Sequence, residues 1–410
     1  MSPRRRAAAL AVLGALIAAC SDDPAASPPT VHGAPTLAPV TSPTDDGVLR
    51  IGLLRPTGTA TADISASTKA GVDLAIADIR STGVNVELLE RNEGDALVTS
   101  ASLRELIENR VDAIIGPMSS NVALATLSVP VDMGITTCSP TASALALDDY
   151  PDRGLFFRTV ASDSLQAKAI AQQVNLTGAS TAGLVNLDDG YGRPFADAVE
   201  AAARAANLSV TRVSYLPDDN SISAAATTLA ERKPAVTMLI ADGGTAAVMA
   251  QAIAKSYGAT RGAFVVNDAA RRTLADLPAS VFTTTTITAL APRATASGVF
   301  GQRLVAALQG AASGVFAENA FDCVNLIALA AAQSGSTRSA DIASNIVSAS
   351  AGGSVCTDYS TCVQLIDQRR NIDYGPIRLG AGGDVDESVF DVVDIVRGGE
   401  TKQRTVTMSA

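Results

Sequence analysis

AIIGPMSSNVALATLSVPVDMGITTCSPTAS, residues 113–143, reads as two successive strand–loop–helix units. Ala113, Ile114 and Ile115 form a short apolar run broken by Gly116 and Pro117, and Met118, Ser119, Ser120 and Asn121 lead into an alanine-rich helix. A second run, residues 134–138, is broken by Ser139 and Pro140, and Thr141, Ala142 and Ser143 open the next helix. At each junction hydroxyl groups and free backbone N–H groups cluster where a strand ends and a helix begins. The first N–H groups of a helix lack intrahelical partners and the helix dipole favours negative charge there. Singly, each serine reads as an ordinary N-cap. Two such junctions on adjacent strands converge on a carboxylate.

The same alternation extends outward in both directions. A strand at 49–54 precedes a helix carrying Val72, Ala75, Ile76 and Ile79 at helical spacing, then Val84, Val86 and Leu88 alternate as a strand. Leu103, Leu106 and Ile107 mark a helix leading into 111–115. Phe156, Phe157, Arg158 and Thr159 form a crossing segment, after which a fresh series starts. Its strands are expected at 182–187, 210–215, 236–241, 263–266 and 281–285, with a helix bearing Phe195, Val199 and Ala202 after the first. Long alanine-rich helices are expected near 297–310 and 318–334, and a last strand at 389–396. Strand and helix in alternation signify parallel α/β sheets, here in two domains.

A chain of 410 residues has room for two domains of ordinary size. Its net charge of −10 argues against nucleic acid, whose phosphates need basic patches. The single histidine, His32, falls in a linker. With no histidine in the folded part, no Gly-x-Ser-x-Gly, no Ser-x-x-Lys and no phosphate loop, an enzyme is not expected, nor any cofactor. Four cysteines remain once Cys20 is set aside: Cys138, Cys323, Cys356 and Cys362. They allow three connectivities; sequence proximity favours a local Cys356–Cys362 bridge, which leaves Cys138 with Cys323. Their spacing fits no zinc motif, so no metal is expected.

Arg4, Arg5 and Arg6 precede a short apolar stretch, residues 7–17, that is too short to span a bilayer well. Residues 1–19 therefore read as an export signal. Ile17, Ala18, Ala19 and Cys20 resemble the bacterial lipobox, which implies a lipid on Cys20. Residues 20–48, rich in Pro, Ser, Thr, Ala and Asp, read as a flexible tether. No later segment reads as a transmembrane helix, so the lipid is the only expected membrane attachment.

In order and spacing, Ile51-Gly52-Leu53-Leu54, residues 71–79, Ile115-Gly116-Pro117-Met118-Ser119-Ser120 and Ser139-Pro140-Thr141-Ala142-Ser143 resemble the branched-chain amino-acid-type periplasmic binding proteins. Asp189-Gly190-Tyr191-Gly192, Gly375-Pro376-Ile377 and Gly383-Asp384 continue the resemblance, which covers residues 49–397. These are substrate-binding components of ABC importers with the type I periplasmic-binding fold. The resemblance implies an α/β protein of two doubly wound parallel-sheet lobes joined by a hinge that the chain crosses three times, near Thr159, Ala289 and Gly375. One lobe is then 49–158 plus 290–374 and the other 159–289 plus 375–400, with 401–410 a C-terminal tail.

The ligand is expected between the lobes, at the carboxyl ends of the strands. Positions matching Ser120, Thr141 and Ser143 hold the amino-acid carboxylate, with Ser119 and Ala142 in the same loops. Tyr191 matches a position lying over the ligand, Asp268 the acid that grips the ammonium, and Phe316 an aromatic near the side-chain pocket. After Gly243 and Gly244 the family often has a tyrosine, where this chain has Thr245. Asp268 is one methylene shorter than the family's usual glutamate. The plainer alternatives are packing beside a glycine-rich turn for Tyr191, a turn or helix cap for Asp268 and ordinary core for Phe316. The implied function is a monomeric, lipid-anchored receptor on the outer face of the cytoplasmic membrane, delivering a small ligand, an amino acid, to an ABC permease. A sensor of the same fold and a binder of urea or amide-type solutes are the alternatives.

Overall fold

The computed structural model describes residues 45–258, 260, 262–292 and 298–410. The expected export signal, Cys20, His32 and the tether up to residue 44 lie outside the described residues. Strands β1 (Val48–Pro56), β2 (Asn85–Glu93), β3 (Ala113–Ile115), β4 (Thr136–Ser139) and β5 (Phe156–Arg158) form a sheet in the order β2-β1-β3-β4-β5, every pair parallel. Helices cover both faces, so the central strands are apolar on both sides: all three residues of β3 are buried. One face packs on the helices Ala62–Ser81 and Ala317–Ser334, the other on Ala96–Glu108. Gly71 is what lets the first two helices meet. A Cβ built there would lie 2.0 Å from the carbonyl oxygen of Ala317, so any side chain would drive the helices apart.

The second sheet contains β6 (Thr181–Leu187), β7 (Ser209–Tyr215), β8 (Val236–Ile240), β9 (Gly262–Val266) and β10 (Thr285–Pro292), all parallel. A parallel two-stranded ladder, β11 (Ser354–Cys356) and β12 (Ile372–Tyr374), precedes β13 (Glu387–Val396) and β14 (Gly399–Ser409). The latter two extend the second sheet antiparallel, giving the order β14-β13-β10-β9-β8-β6-β7. The chain thus leaves the first sheet after β5, returns to its helices after β10 and leaves again after β12. These are three crossovers between two doubly wound lobes, the type I periplasmic-binding arrangement.

Besides the loop after β4, described with the site below, two stretches depart from the sequence reading. Residues 281–285 were expected as a strand, but Ala279–Thr284 is helical and the strand begins at Thr285, where pairing to Gly262 starts. The β-branched run of Val281 and Thr283 to Thr286 has strand propensity along its whole length, and tertiary pairing sets the boundary. Residues 401–409, expected as part of a tail, are most of β14 and pair with β13. This edge strand is largely exposed and carries Lys402 and Arg404, a composition that guards sheet edges and hides the strand from a search for alternating apolar residues.

Both disulfides are formed. Cys138 of β4 is bonded to Cys323 of the helix Ala317–Ser334, with Cα atoms 5.8 Å apart, and Cys356 is bonded to Cys362 at 5.2 Å. Among the described residues no helix is long and apolar enough to cross a membrane.

Candidate functional site

Because β3 and β4 are parallel neighbours, with Ile115 opposite Cys138, the loops that follow them leave the same edge of the sheet side by side. Side chains sew the two loops together. Ser139 Oγ donates to the Pro117 carbonyl (2.6 Å), Thr141 Oγ1 donates to the Met118 carbonyl (2.5 Å), and Ser120 Oγ accepts from the Ala144 amide (3.2 Å). Ser139 Oγ also accepts from the Ala142 amide at 3.0 Å. Ser120, Thr141, Ala142 and Ser143 are therefore brought together.

The chemistry expected of the two junctions is altered in three respects. The amides of Met118 and Ser119 are already taken: they donate to Glu93 Oε2 and Oε1 at 2.6 and 2.8 Å. Glu93, at the end of β2, is a carboxylate supplied by the chain itself. Burial raises its pKa to about 7 against the opposing pull of those two amides. Secondly, Thr141, Ala142 and Ser143 open no α-helix. A single 3-10 turn, Leu145–Leu147, follows them, and the next α-helix begins at Asp163. Pro140 and the hydrogen bonds of Ser139 and Thr141 hold this loop extended, so no helix dipole acts there. Thirdly, the one hydrogen of the Thr141 hydroxyl is committed to Met118, which leaves that oxygen only as an acceptor. Ser120 accepts from Ala144 and keeps its hydroxyl hydrogen to donate. Ser119 is exposed and caps the helix Ser120–Thr126 through the Val122 amide.

Asp163 was missed from the sequence. It is the first residue of the helix Asp163–Leu176, its amide donates to the Ser143 carbonyl (2.9 Å), and its carboxyl group is bonded to the Ser143 side chain. It is 2% exposed, and Oδ2 has no hydrogen-bond partner among the described residues. Burial first, and the nearby Asp268 carboxylate second, push its pKa well above the usual carboxylate range, against the Ser143 hydrogen bond and the Arg158 charge. In sequence, Ser162-Asp163-Ser164 carries only the signature of a helix start, and Ser162 does cap that helix through the Ser164 amide. Nothing in that pattern distinguishes a capping neighbour from a site acid.

Tyr191 and Asp268 come from the second lobe. Asp189 Oδ1 accepts from the amides of Tyr191 and Gly192 (3.0 and 2.6 Å), a turn that sets Tyr191 at the head of the helix Gly192–Ala205. The Tyr191 ring stands edge-on to Phe195, with centroids 5.8 Å apart. It also packs on a first-lobe cluster that includes Ala142, Ala144 and Leu147, so the lobes meet at this ring. Asn267, fully buried, clamps Ala241 through both its backbone groups and donates to Tyr191 Oη at 3.0 Å. It thereby fixes its neighbour Asp268, the first residue of the helix Asp268–Leu274. Burial holds the Tyr191 phenol well above its ordinary pKa, and the charges of Asp163 and Asp268 add to the effect. Tyrosine and both acids thus share one electrostatic neighbourhood on the second lobe, joined to the first through the bond of Asp163 to Ser143.

Two further expected pocket residues, Thr245 and Phe316, flank other elements. Thr245 Oγ1 is bonded to Asp242 (2.7 Å) and to Tyr215 Oη (2.8 Å), within the second lobe. Phe316, half-buried, stands before the helix Ala317–Ser334 with φ of +60°. For a bulky side chain that conformation is strained by about 1–3 kcal/mol, a feature concentrated at ligand clamps. A cavity of about 630 Å³ opens beside the crossovers, lined by residues that include Thr159, Asp322, Gly375 and Glu387; none of the expected ligand residues lines it. Among the described residues no group of histidine, cysteine or acidic side chains is placed to hold a metal ion.

The profile of a family described as periplasmic binding protein matches residues 48–358. The Leu/Ile/Val-binding protein BraC3 of Rhizobium johnstonii is 28% identical over 196 residues, which are 45% of this chain and 52% of that protein. The chain thus spans about half the length of the curated relative it matches. Among solved structures, a leucine-binding protein LivK from Thermotoga maritima superposes with a TM-score of 0.69 at 15% identity, over 87% of this chain and 98% of that one. A solute-binding protein of an ABC transporter from R. palustris in complex with benzoate gives 0.68 at 16%, over 89% and 98%. LivJ from Streptococcus pneumoniae in complex with isoleucine gives 0.67 at 15%, over 88% and 100%. At these identities the superpositions establish the fold. Within that fold the bound ligands range from an amino acid to an aromatic acid.

Proposed function

We propose, from the premise that the chain belongs to the periplasmic binding protein family, that it is an extracytoplasmic receptor that captures an α-amino acid between its lobes for an ABC permease. The observation that carries the ligand class is Asp163, whose buried Oδ2 lacks a hydrogen-bond partner among the described residues beside Asp268. A buried carboxyl group in that condition is costly alone and well served by a cation. An ammonium would meet Asp163 and Asp268 at once. The ligand carboxylate would lie toward Ser120 and Ser143, and Tyr191 would close over it from the second lobe. Phe316 would face the ligand side chain.

Attachment through a lipid on Cys20 and release to the permease complete the reading. A thermal-shift panel of α-amino acids, amides and small carboxylates on the soluble part tests it, because a ligand that binds only the folded state raises apparent stability by mass action. Stabilisation by no amino acid would overturn it. For the anchor, recovery of the wild-type protein wholly in the soluble fraction would remove the lipid. One observation favours a second reading. Asp163 keeps its proton more readily than an ordinary acid, so it can donate to an amide oxygen while Asp268 accepts from N–H, which suits urea or a simple amide. The same panel separates the two classes.

A further inference from the structure

We propose that Arg158 is the positioning residue of this site: a buried guanidinium that holds the Ser143 loop and the start of the Asp163 helix in one geometry and ties both to the third crossover. The inference rests on the reading of that cluster as the ligand site.

Arg158 is the last residue of β5 and is wholly buried. Its Nη1 donates to the carbonyls of Ala142 (3.4 Å) and Ala144 (3.1 Å), the residues on either side of Ser143. Its Nη2 pairs with Asp148 Oδ1 at 2.5 Å. Asp148 in turn accepts from Ser162 Oγ at 2.9 Å on each oxygen, and Ser162 caps the helix that Asp163 begins. Its Nε pairs with Asp384 Oδ1 at 2.6 Å, and its amide donates to the Gly383 carbonyl at 2.9 Å. Residues 383 and 384 belong to the segment between β12 and β13, the third crossover.

One planar group therefore reaches three separate stretches of chain. Ser143 and Asp163 must face the same ligand, yet the stretch between them holds no α-helix. What keeps them in register is this fan of donors, together with the bond from the Asp163 amide to the Ser143 carbonyl. Lysine, a point charge on a flexible stem, cannot reproduce the fan. The charge of Arg158 also opposes the effect of Asp268 on Asp163, so the guanidinium favours the ionised acid that an ammonium requires. None of the contacts named requires Arg158 to touch the ligand.

Arg158→Lys keeps the charge and removes the fan. Hydrogen exchange without ligand should accelerate at least tenfold at the amides of Ala144 and Asp163 and stay unchanged in β1 and β3. Calorimetric affinity for L-leucine should fall at least tenfold. Wild-type exchange at both amides would overturn the proposal. So would an equal rise across the whole first lobe, the mark of a general structural role. If Arg158→Lys does not fold, Asp384→Ala removes the guanidinium's tie to the crossover and leaves the backbone bond from Arg158 to Gly383; it should speed exchange at the same two amides at least threefold, and unchanged exchange there would overturn the proposal. The exchange measurement needs no ligand. If wild-type protein binds no amino acid, the functional reading fails while exchange still decides the role of Arg158.

Discussion

Replacing Asp163 by asparagine isolates the group on which the ligand assignment turns. The side chain keeps its shape and its oxygen toward Ser143 but loses the capacity for charge. A hydrogen bond to a charged partner contributes about 1.5–3 kcal/mol, so an ammonium ligand should bind about ten- to a hundredfold more weakly. Stability should move the other way or not at all at neutral pH. The wild-type acid is buried, one oxygen lacks a partner among the described residues, and its pKa is raised, so ionising it in the empty protein is costly. The pH dependence has a definite sign. In the empty protein Asp163 holds its proton to a higher pH than an ordinary acid, and an ammonium favours the ionised form. Ligand binding should therefore release a proton, and affinity should weaken as pH falls. Titration calorimetry in two buffers of different ionisation enthalpy reads the proton directly. The Asp163→Asn variant should show weaker binding, unchanged or higher melting temperature, and no proton release. Wild-type affinity in this variant would refute the reasoning.

Three further perturbations test other parts of the account. Glu93 has a folded pKa of about 7, above its ordinary value of 4.5, so its protonated form stabilises the fold fully at low pH and that stabilisation is lost as pH rises through 7. Glu93→Gln lacks this titration, and urea unfolding at pH 4.5 and 8 should show the variant gaining about 3 kcal/mol on wild type over that interval; a constant difference would contradict the assignment. Asp112 and Asp322, raised to about 7 and about 8 by burial, titrate with the same sign. Ser120→Ala with Ser143→Ala should weaken binding of an amino acid about a hundredfold and lower the melting temperature modestly, because the Ala144 amide and the Asp163 carboxyl each lose a partner, and unchanged affinity would place the carboxylate elsewhere. Cys138 and Cys323 close a separation of 185 residues and Cys356 and Cys362 one of 6, so chain entropy gives about 5 and about 2 kcal/mol respectively. Cys138→Ser with Cys323→Ser should therefore lower stability to urea much more than Cys356→Ser with Cys362→Ser, and equal losses would rule out the entropic account.

The fold was legible because its signals are periodic. Buried parallel strands such as β3 must be apolar on both faces, and the helices between them carry an apolar stripe, so alternation is visible in a single chain. β14 was not visible, since an exposed edge strand has no apolar face to show. The proposed site could be reached from the sequence in its loops and not in its interior. Ser120 and Ser143 declare themselves by standing at strand ends, and Tyr191 and Asp268 through the family pattern. Glu93 and Asp163 look in sequence like any surface acid at the end of a strand or the start of a helix. Only the packing of β2 against β3 by way of β1, and of the first crossover against the loop after β4, turns them into buried carboxylates. That burial arises from contacts between segments distant in sequence, which local pattern does not encode.

The central claim is that two acids, Asp163 and Asp268, receive an ammonium. Titration calorimetry of the wild-type protein with L-leucine and with its deaminated 2-hydroxy acid, at one pH and in matched buffers, tests it most directly. The two ligands share side chain and carboxylate and differ only in the group facing the acids. The amino acid should bind at least tenfold more tightly and release a proton that the hydroxy acid does not. Equal affinity, or tighter binding of the hydroxy acid, would contradict the claim.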